Sequence, residues 1–357
     1  MKGLILAGGS GTRLRPLTHT GPKQLLPIAN RPTIYYAIED LVEAGIRDIG
    51  VVLGNNLPEM IQDAVGDGSR FGARITYIHQ GEPRGIAHAV LVSEDFLGRD
   101  PFVVYLGDNL LKEGIREFVE GFEESDEEAR ILLCRVKSPE QFGVAELDGE
   151  GRIVALEEKP REPKSNLALV GIYLFKPTIF GAARGIKPSR RNELEITDAI
   201  QRLIDSKRPI RASIVNGWWK DTGRPEDILE ANRLILDELE GSNQGTVEDG
   251  VQIQGKVSIG KGTVVRKGSV LRGPVIIGED CEIGPDTYIG PYTSVGDQTV
   301  IRGGEVEASV IIGKTRIECR ERIVDSLIGR NSEIVSSSNS LPGGRRLILG
   351  AYSSVRI

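Results

Sequence analysis

From residue 253 to residue 301 an aliphatic side chain falls on every sixth position without a break: Ile253, Ile259, Val265, Leu271, Ile277, Ile283, Ile289, Val295 and Ile301. Gly260, Gly278, Gly284, Gly290 and Gly296 each follow one of them directly. The pattern predicts a parallel β-helix of hexapeptide type. In that fold three six-residue faces close one triangular coil, and one aliphatic per face points inward onto the coil below. Register is lost between Arg302 and Glu307, and Ile312-Gly313 and Ile328-Gly329 predict further coils. Ser336 to Gly344 reads as a loop and Leu347-Ile348-Leu349 as a final strand.

Up to about residue 240 the rhythm is different, with short apolar strands alternating with amphipathic stretches. Ile46 to Leu53, Ile75 to His79, Phe102 to Leu106 and Ile131 to Val136 read as strands; Ile34 to Ala44, Pro58 to Val65 and Ile115 to Glu124 read as helices. Such alternation predicts a largely parallel α/β sheet with its ligand crevice at the carboxyl ends of the strands. Arg224-Pro225-Glu226-Asp227 opens a last helix, and Gly241-Ser242-Asn243-Gln244-Gly245 ends it. A chain of 357 residues exceeds the usual size of one domain. The expected organisation is therefore an α/β domain over 1–240, a linker over 241–250 and the β-helix over 251–357.

With 39% hydrophobic and 27% charged residues and a net charge of −6, the chain reads as globular and lacks the basic surface of a general nucleic-acid binder. Its apolar run Leu167 to Phe175 is of strand length, so no membrane span is expected. Cys134, Cys281 and Cys319 are odd in number and lack CxxC spacing, and the first residues enter a strand at once, without room for a signal peptide. A reducing cytoplasm is the expected compartment.

The segment Leu4 to Ile28 combines Gly8-Gly9-Ser10-Gly11-Thr12 with Arg13, Arg15 and Lys23. Glycines let main-chain N–H groups approach anionic oxygens, and the cations supply charge, so a polyphosphate is the natural ligand. A turn that needs glycine for geometry alone is the competing reading. Neither the Walker pattern nor the dinucleotide fingerprint fits, because Gly11 is followed by Thr12-Arg13 and Leu14 stands where a third glycine would be.

Asp108, in Leu106-Gly107-Asp108-Asn109 just past a strand, is placed to hold Mg²⁺, which prefers one or two carboxylates plus substrate phosphates. A helix cap or turn aspartate would look the same. Asp221, in Trp218-Trp219-Lys220-Asp221-Thr222-Gly223, is a second such acid if it pairs with Asp108, and otherwise a turn residue before the last helix. Glu157-Glu158-Lys159-Pro160 follows the strand Ile153 to Leu156 and offers Lys159 for a phosphate and Glu158 for hydroxyls, or else a solvated charge run at a hairpin end. His19, His79 and His88 show no metal-ligand spacing, and a packed or surface role is expected for each.

Taken in order, these segments together with Pro22 to Pro27 and Glu193-Leu194-Glu195-Ile196-Thr197-Asp198 resemble the sugar-nucleotide pyrophosphorylases, and among them the glucose-1-phosphate thymidylyltransferases, over about residues 1 to 240. The resemblance implies a Rossmann-like nucleotide-diphospho-sugar transferase domain with a mostly parallel sheet, followed by a left-handed parallel β-helix. It implies attack of a sugar 1-phosphate on dTTP or UTP with loss of pyrophosphate. Arg13 and Lys23 would grip the triphosphate, Asp108 and Asp221 would hold Mg²⁺, and Lys159 would orient the sugar phosphate. Leu6, Gly8, Gly9, Ser10, Gly11 and Thr12 would line the nucleotide, with Gln80 and Gly85 reading the pyrimidine. Gly143, Glu158, Val170 and Gly171 would line the sugar, although Phe142 and Val170 stand where tyrosine and threonine are common in that family. The β-helix implies either acetyl transfer or assembly. Acetyltransferases of this fold generally use a histidine, and residues 89 to 357 contain none, so a homo-oligomer, trimeric or higher, is the expectation.

Overall fold

The computed structural model describes residues 1–336, and the chain divides into two compact units, Met1–Ala231 and Asn232–Ile357. The loop expected after Ser336 and the strand expected at Leu347-Ile348-Leu349 lie outside the described residues. Among those described, no helix is long and apolar enough to cross a membrane.

Besides a two-residue hairpin of Pro27–Ile28 with Arg31–Pro32, the strands of the first unit are β1 Lys2–Ala7, β2 Asp48–Leu53, β3 Arg74–His79, β4 Phe102–Leu106, β5 Asn109–Leu111, β6 Ala129–Arg135, β7 Gly143–Leu147, β8 Ile153–Glu158, β9 Leu167–Phe175, β10 Ile210–Ile214 and β11 Trp219–Asp221. Nine of them form one sheet, in the order β8-β7-β9-β4-β1-β2-β3, with β6 on β9 and β10 on β6. β1 pairs in parallel with β2 and β4, while β9 enters antiparallel to β4. β1 and β4 are nearly all apolar because the sheet is covered on both faces. Leu4 and Leu6 pack on one face with Phe102 and Phe175, and Ile5 and Ala7 on the other with Ile34, Ile38 and Tyr105. The predicted helices appear as Thr33–Glu43, Pro58–Val65 and Arg116–Glu123.

Two neighbouring parallel strands therefore end side by side. Gly107 N donates to Leu6 O at 3.0 Å, so the loop after β4 leaves the sheet beside the glycine loop after β1. The sequence predicts an end to β8 at Leu156. The strand in fact continues through Glu158, because Glu157 and Glu158 keep pairing with Val144 and Gly143.

The second unit begins within the helix Pro225–Asp237 and otherwise holds the parallel β-helix, built of three parallel sheets. Ile259 pairs with Ile277 and Ile277 with Val295, one full coil apart each time. Val265, Leu271, Ile283, Ile289 and Ile301 are fully buried in its core. Small polar side chains turn the corners: Thr263 Oγ1 donates to Gly278 O at 2.6 Å, and Thr299 Oγ1 to Gly296 O at 2.7 Å. Each corner thus satisfies a backbone carbonyl that the short strands leave without a ladder partner.

Three expectations are corrected here. Residues 241–250 are no linker: Ser242–Asn243 and Thr246–Val247 already pair with the coil above, so polar composition misled where the pairing is made by backbone. Ile253, read as a core position, is 42% exposed, because its strand begins its sheet and has a stacked coil on one side only. After Ile301 the inward residues are Val306, Ile311, Ile317, Ile323 and Ile328, so steps of five replace steps of six from Ile301 to Val306, from Val306 to Ile311 and again from Ile323 to Ile328, and Ile312 points away from the core. The loss of register is a shortened coil: Val295 pairs with Ile311 and Ile301 with Ile317.

Candidate active site

A cleft of about 420 Å³ opens at the carboxyl ends of β1 and β4. The glycine loop forms one wall, with Leu6, Gly8, Gly9, Ser10, Gly11 and Thr12 all lining it. Gly11 has φ +64°, a left-handed conformation that glycine adopts without strain, and it starts the single 3-10 turn Thr12–Leu14 that carries Arg13. Lys23 stands on the next such turn but one, Lys23–Leu25.

The two acids converge through a small ribbon. β5 and β11 pair antiparallel, with Asn109 opposite Asp221, and Thr222 donates to Asp108 O from its N (3.0 Å) and its Oγ1 (2.8 Å). Asp221 therefore ends a strand and is not a loose turn residue. A Cβ on Gly223 would stand 2.7 Å from Arg13 Nη2 and 3.2 Å from Asp221 Oδ1, which places that guanidinium and carboxylate around one point. Lys23 is ion-paired with Asp108.

Charge in this corner is strongly interdependent. Burial and the nearby Asp108 push the Asp221 carboxyl up to about 6, against the opposing pull of Lys23 and Arg13. Burial alone would favour a neutral Lys23, but Asp108 and Asp221 outweigh it and hold its pKa above the ordinary value. Asp108, which is buried, and Asp221, which is half-buried, line the same cleft, and two carboxylates so placed suit a divalent cation.

At the far end the cleft is lined by Gly143, Glu158, Lys159 and Gly171. Lys159 has φ +46°, and its amide donates to Phe142 O at 3.0 Å. Burial, then the neighbouring Glu195, raise the pKa of Glu158, while Lys159 and Arg191 oppose them. Gln80 and Gly85 line the side nearest the glycine loop.

Two residues that the sequence offers do not line the cleft: Arg15, which is exposed outside it, and Val170. Alternate residues of β9 face opposite ways, so Leu169, Gly171 and Tyr173 reach the cleft while Val170 packs with Ala168, Ile172 and Leu174 in the core behind. Phe142 does line the cleft, edge-on to Trp219 at 5.1 Å, and Trp219 Nε1 donates to Asn109 Oδ1 at 2.6 Å.

Sequence reasoning missed Gln24 and Arg191. Gln24 is 1% exposed, lines the cleft, and its Oε1 finds no hydrogen-bond partner among the described residues. Arg191 donates to Glu158 Oε1 and to both carboxylate oxygens of Glu193, at 3.1 Å each. The signal for Arg191 was its place just before the acidic Glu193–Glu195 run. For Gln24 the signal was its place in the Pro22 to Pro27 segment, directly after Lys23, although nothing in that segment shows that its side chain is buried.

Comparison with known proteins matches the nucleotidyl transferase family over residues 2–238 and the GMPPB C-terminal domain over residues 271–341. The low-salt glycan biosynthesis nucleotidyltransferase Agl11 of Haloferax volcanii is 52% identical over the whole of both chains. A glucose-1-phosphate thymidylyltransferase of Streptomyces antibioticus is 50% identical over 100% of this chain and 99% of its own. The crystal structure of a UDP-glucose pyrophosphorylase complexed with UDP-glucose is 30% identical, with a TM-score of 0.59 over 66% of this chain and 98% of that one.

Proposed function

The chain belongs to the nucleotidyl transferase family, and from that premise we propose that it joins dTTP to glucose 1-phosphate, releasing pyrophosphate and dTDP-glucose. The observation that carries this reading is the meeting of Arg13, Lys23, Asp108 and Asp221 beside a glycine loop, in a cleft with no histidine among its lining residues. A phosphomonoester has its second pKa at about 6, so the attacking oxygen is already anionic at neutral pH and needs no base. The difficulty is repulsion between two anions and charge on the leaving pyrophosphate, which cations relieve.

In this reading Asp108 and Asp221 would hold Mg²⁺, which when bound neutralises charge on the triphosphate. Arg13 and Lys23 meet the departing pyrophosphate. Lys159 orients the sugar phosphate, whose oxygen forms a bond to the α-phosphorus as the bond from that phosphorus to pyrophosphate breaks. Glu158, held by Arg191, faces the sugar hydroxyls with Gly143 and Gly171, and Gln80 and Gly85 face the base. The name of the Streptomyces relative supports the thymidine nucleotide and glucose. The UDP-glucose pyrophosphorylase structure keeps a UTP-using reading as the second choice.

Pyrophosphate release in Mg²⁺, measured for dTTP, UTP, CTP, GTP and ATP against glucose, N-acetylglucosamine and mannose 1-phosphates, tests the proposal. A maximum at dTTP with glucose 1-phosphate is expected. A maximum at UTP moves the assignment to a uridylyltransferase, and silence throughout favours a non-catalytic homologue that binds nucleotide sugars. For the β-helix, which has no histidine, the proposed role is assembly. Sedimentation of the full chain should show a trimer or larger, and a monomer would remove that role.

A further inference from the structure

Gln80 follows β3, and Gly85 and His88 lie at the start of the helix Ile86–Val92. Gln80 Nε2 is 3.2 Å from Gly85 O and 3.3 Å from His88 Nδ1. A carbonyl can only accept, so the amide end facing Gly85 must be the NH₂. His88 Nδ1, facing that same NH₂, must then accept as well. This requires a neutral imidazole with its proton on Nε2. Burial, and the nearby Arg84 charge, lower the pKa of His88, in the direction of that neutral form. Arg84 is itself paired with Glu82.

With the NH₂ doubly engaged, only Gln80 Oε1 remains for a ligand. It faces the glycine loop: a Cβ on Gly8 would come within 2.8 Å of it. We infer that His88 is a positioning residue that locks the Gln80 amide so that a lone acceptor, Oε1, meets the ring N–H of the nucleobase. Thymine and uracil carry a hydrogen at N3 and cytosine carries a lone pair there, so the lock selects the first two against the third. With the amide reversed, an NH₂ would face that N–H. The inference rests on the proposed reading that Gln80 faces the base.

The experiment compares His88→Leu, His88→Gln and Gln80→Ala in steady-state turnover of dTTP, UTP and CTP. His88→Leu should raise KM for dTTP and UTP about three- to tenfold, the worth of one hydrogen bond, and narrow their preference over CTP by a similar factor, with kcat within about twofold. His88→Gln can present its own acceptor to the Gln80 NH₂ and should restore both. Unchanged KM and unchanged CTP discrimination in His88→Leu would overturn the positioning role. If Gln80→Ala is also without effect on nucleotide KM, the reading of Gln80 itself fails. The wild-type protein supplies an arm that needs no variant to fold: among only three histidines, long-range ¹H–¹⁵N spectra should show His88 neutral with an unprotonated Nδ1. A proton on Nδ1 sinks the inference.

Discussion

The two units of this chain place their charges in opposite ways. In the α/β unit the ionisable side chains Lys23, Asp108, Asp221 and Glu158 are drawn into a cleft, where burial and mutual repulsion raise two carboxyl pKa values. In the β-helix the inside is aliphatic, and charge runs along the outside as a ladder in which Arg266 pairs with Glu248 and Glu282, and Arg302 with Glu282 and Glu318. The first arrangement is costly to the fold and useful to chemistry. The second contributes little either way, because exposed ion pairs are well solvated, and stability there rests on stacked coils.

The sharpest way to break this contrast is at Asp221. Asp221→Asn should lower turnover in Mg²⁺ by about 10²- to 10³-fold while leaving the thermal midpoint unchanged or higher, since it removes a charge that the site must otherwise desolvate. Turnover within a few-fold of wild type would end the metal assignment. Ile283→Ala, in the middle of the β-helix core, should do the reverse. Stability measured by urea should fall by about 2–4 kcal/mol, with turnover of the surviving folded protein within about twofold. A kinetic defect with intact stability would show that the units are not so different.

A smaller effect is expected at Asp40, which accepts the Tyr105 hydroxyl at 2.7 Å in the α/β unit. Burial raises its carboxyl from the ordinary 3.8 to about 7 despite that bond. The folded state therefore binds more protons than the unfolded state between about pH 4 and 7, and stability from this group falls as pH rises through that window. Asp40→Asn keeps an acceptor for Tyr105 and should be more stable than wild type by about 1–2 kcal/mol at pH 8, with the gain vanishing below about pH 4. Equal urea midpoints at pH 8 would contradict it. The least effect belongs to Arg302→Ala, where both partners stay solvated and the loss should not exceed about 0.5–1 kcal/mol, shrinking further in high salt. A larger and salt-insensitive loss would mean that the outer ladder carries stability after all.

How much of this was legible in the sequence depends on how far each feature reaches along the chain. The six-residue period, the strand-and-helix alternation, and the glycines beside Arg13 are local, and a local pattern shows the environment that its own segment will find. That is why the α/β unit, the β-helix and the glycine wall of the cleft could all be read directly. The interruption near Arg302 was legible as a break, but its nature as two five-residue steps was not, because only pairing with the previous coil says which aliphatic turns inward.

By itself, then, the sequence determined two rhythms, two folds, and a set of acids and cations able to handle phosphate. Only the tertiary structure decided which of them meet. Asp221 reaches Asp108 through the pairing of β5 with β11, two strands far apart in the chain. Val170 is turned away from the cleft by strand alternation, Gln24 is buried within it, Arg191 is tied to Glu158, and Gln80 is oriented by Gly85 and His88. The physical reason is common to all of these: burial, side-chain direction and hydrogen-bond partners depend on what the folded chain brings alongside a residue, and neighbours in sequence do not specify that.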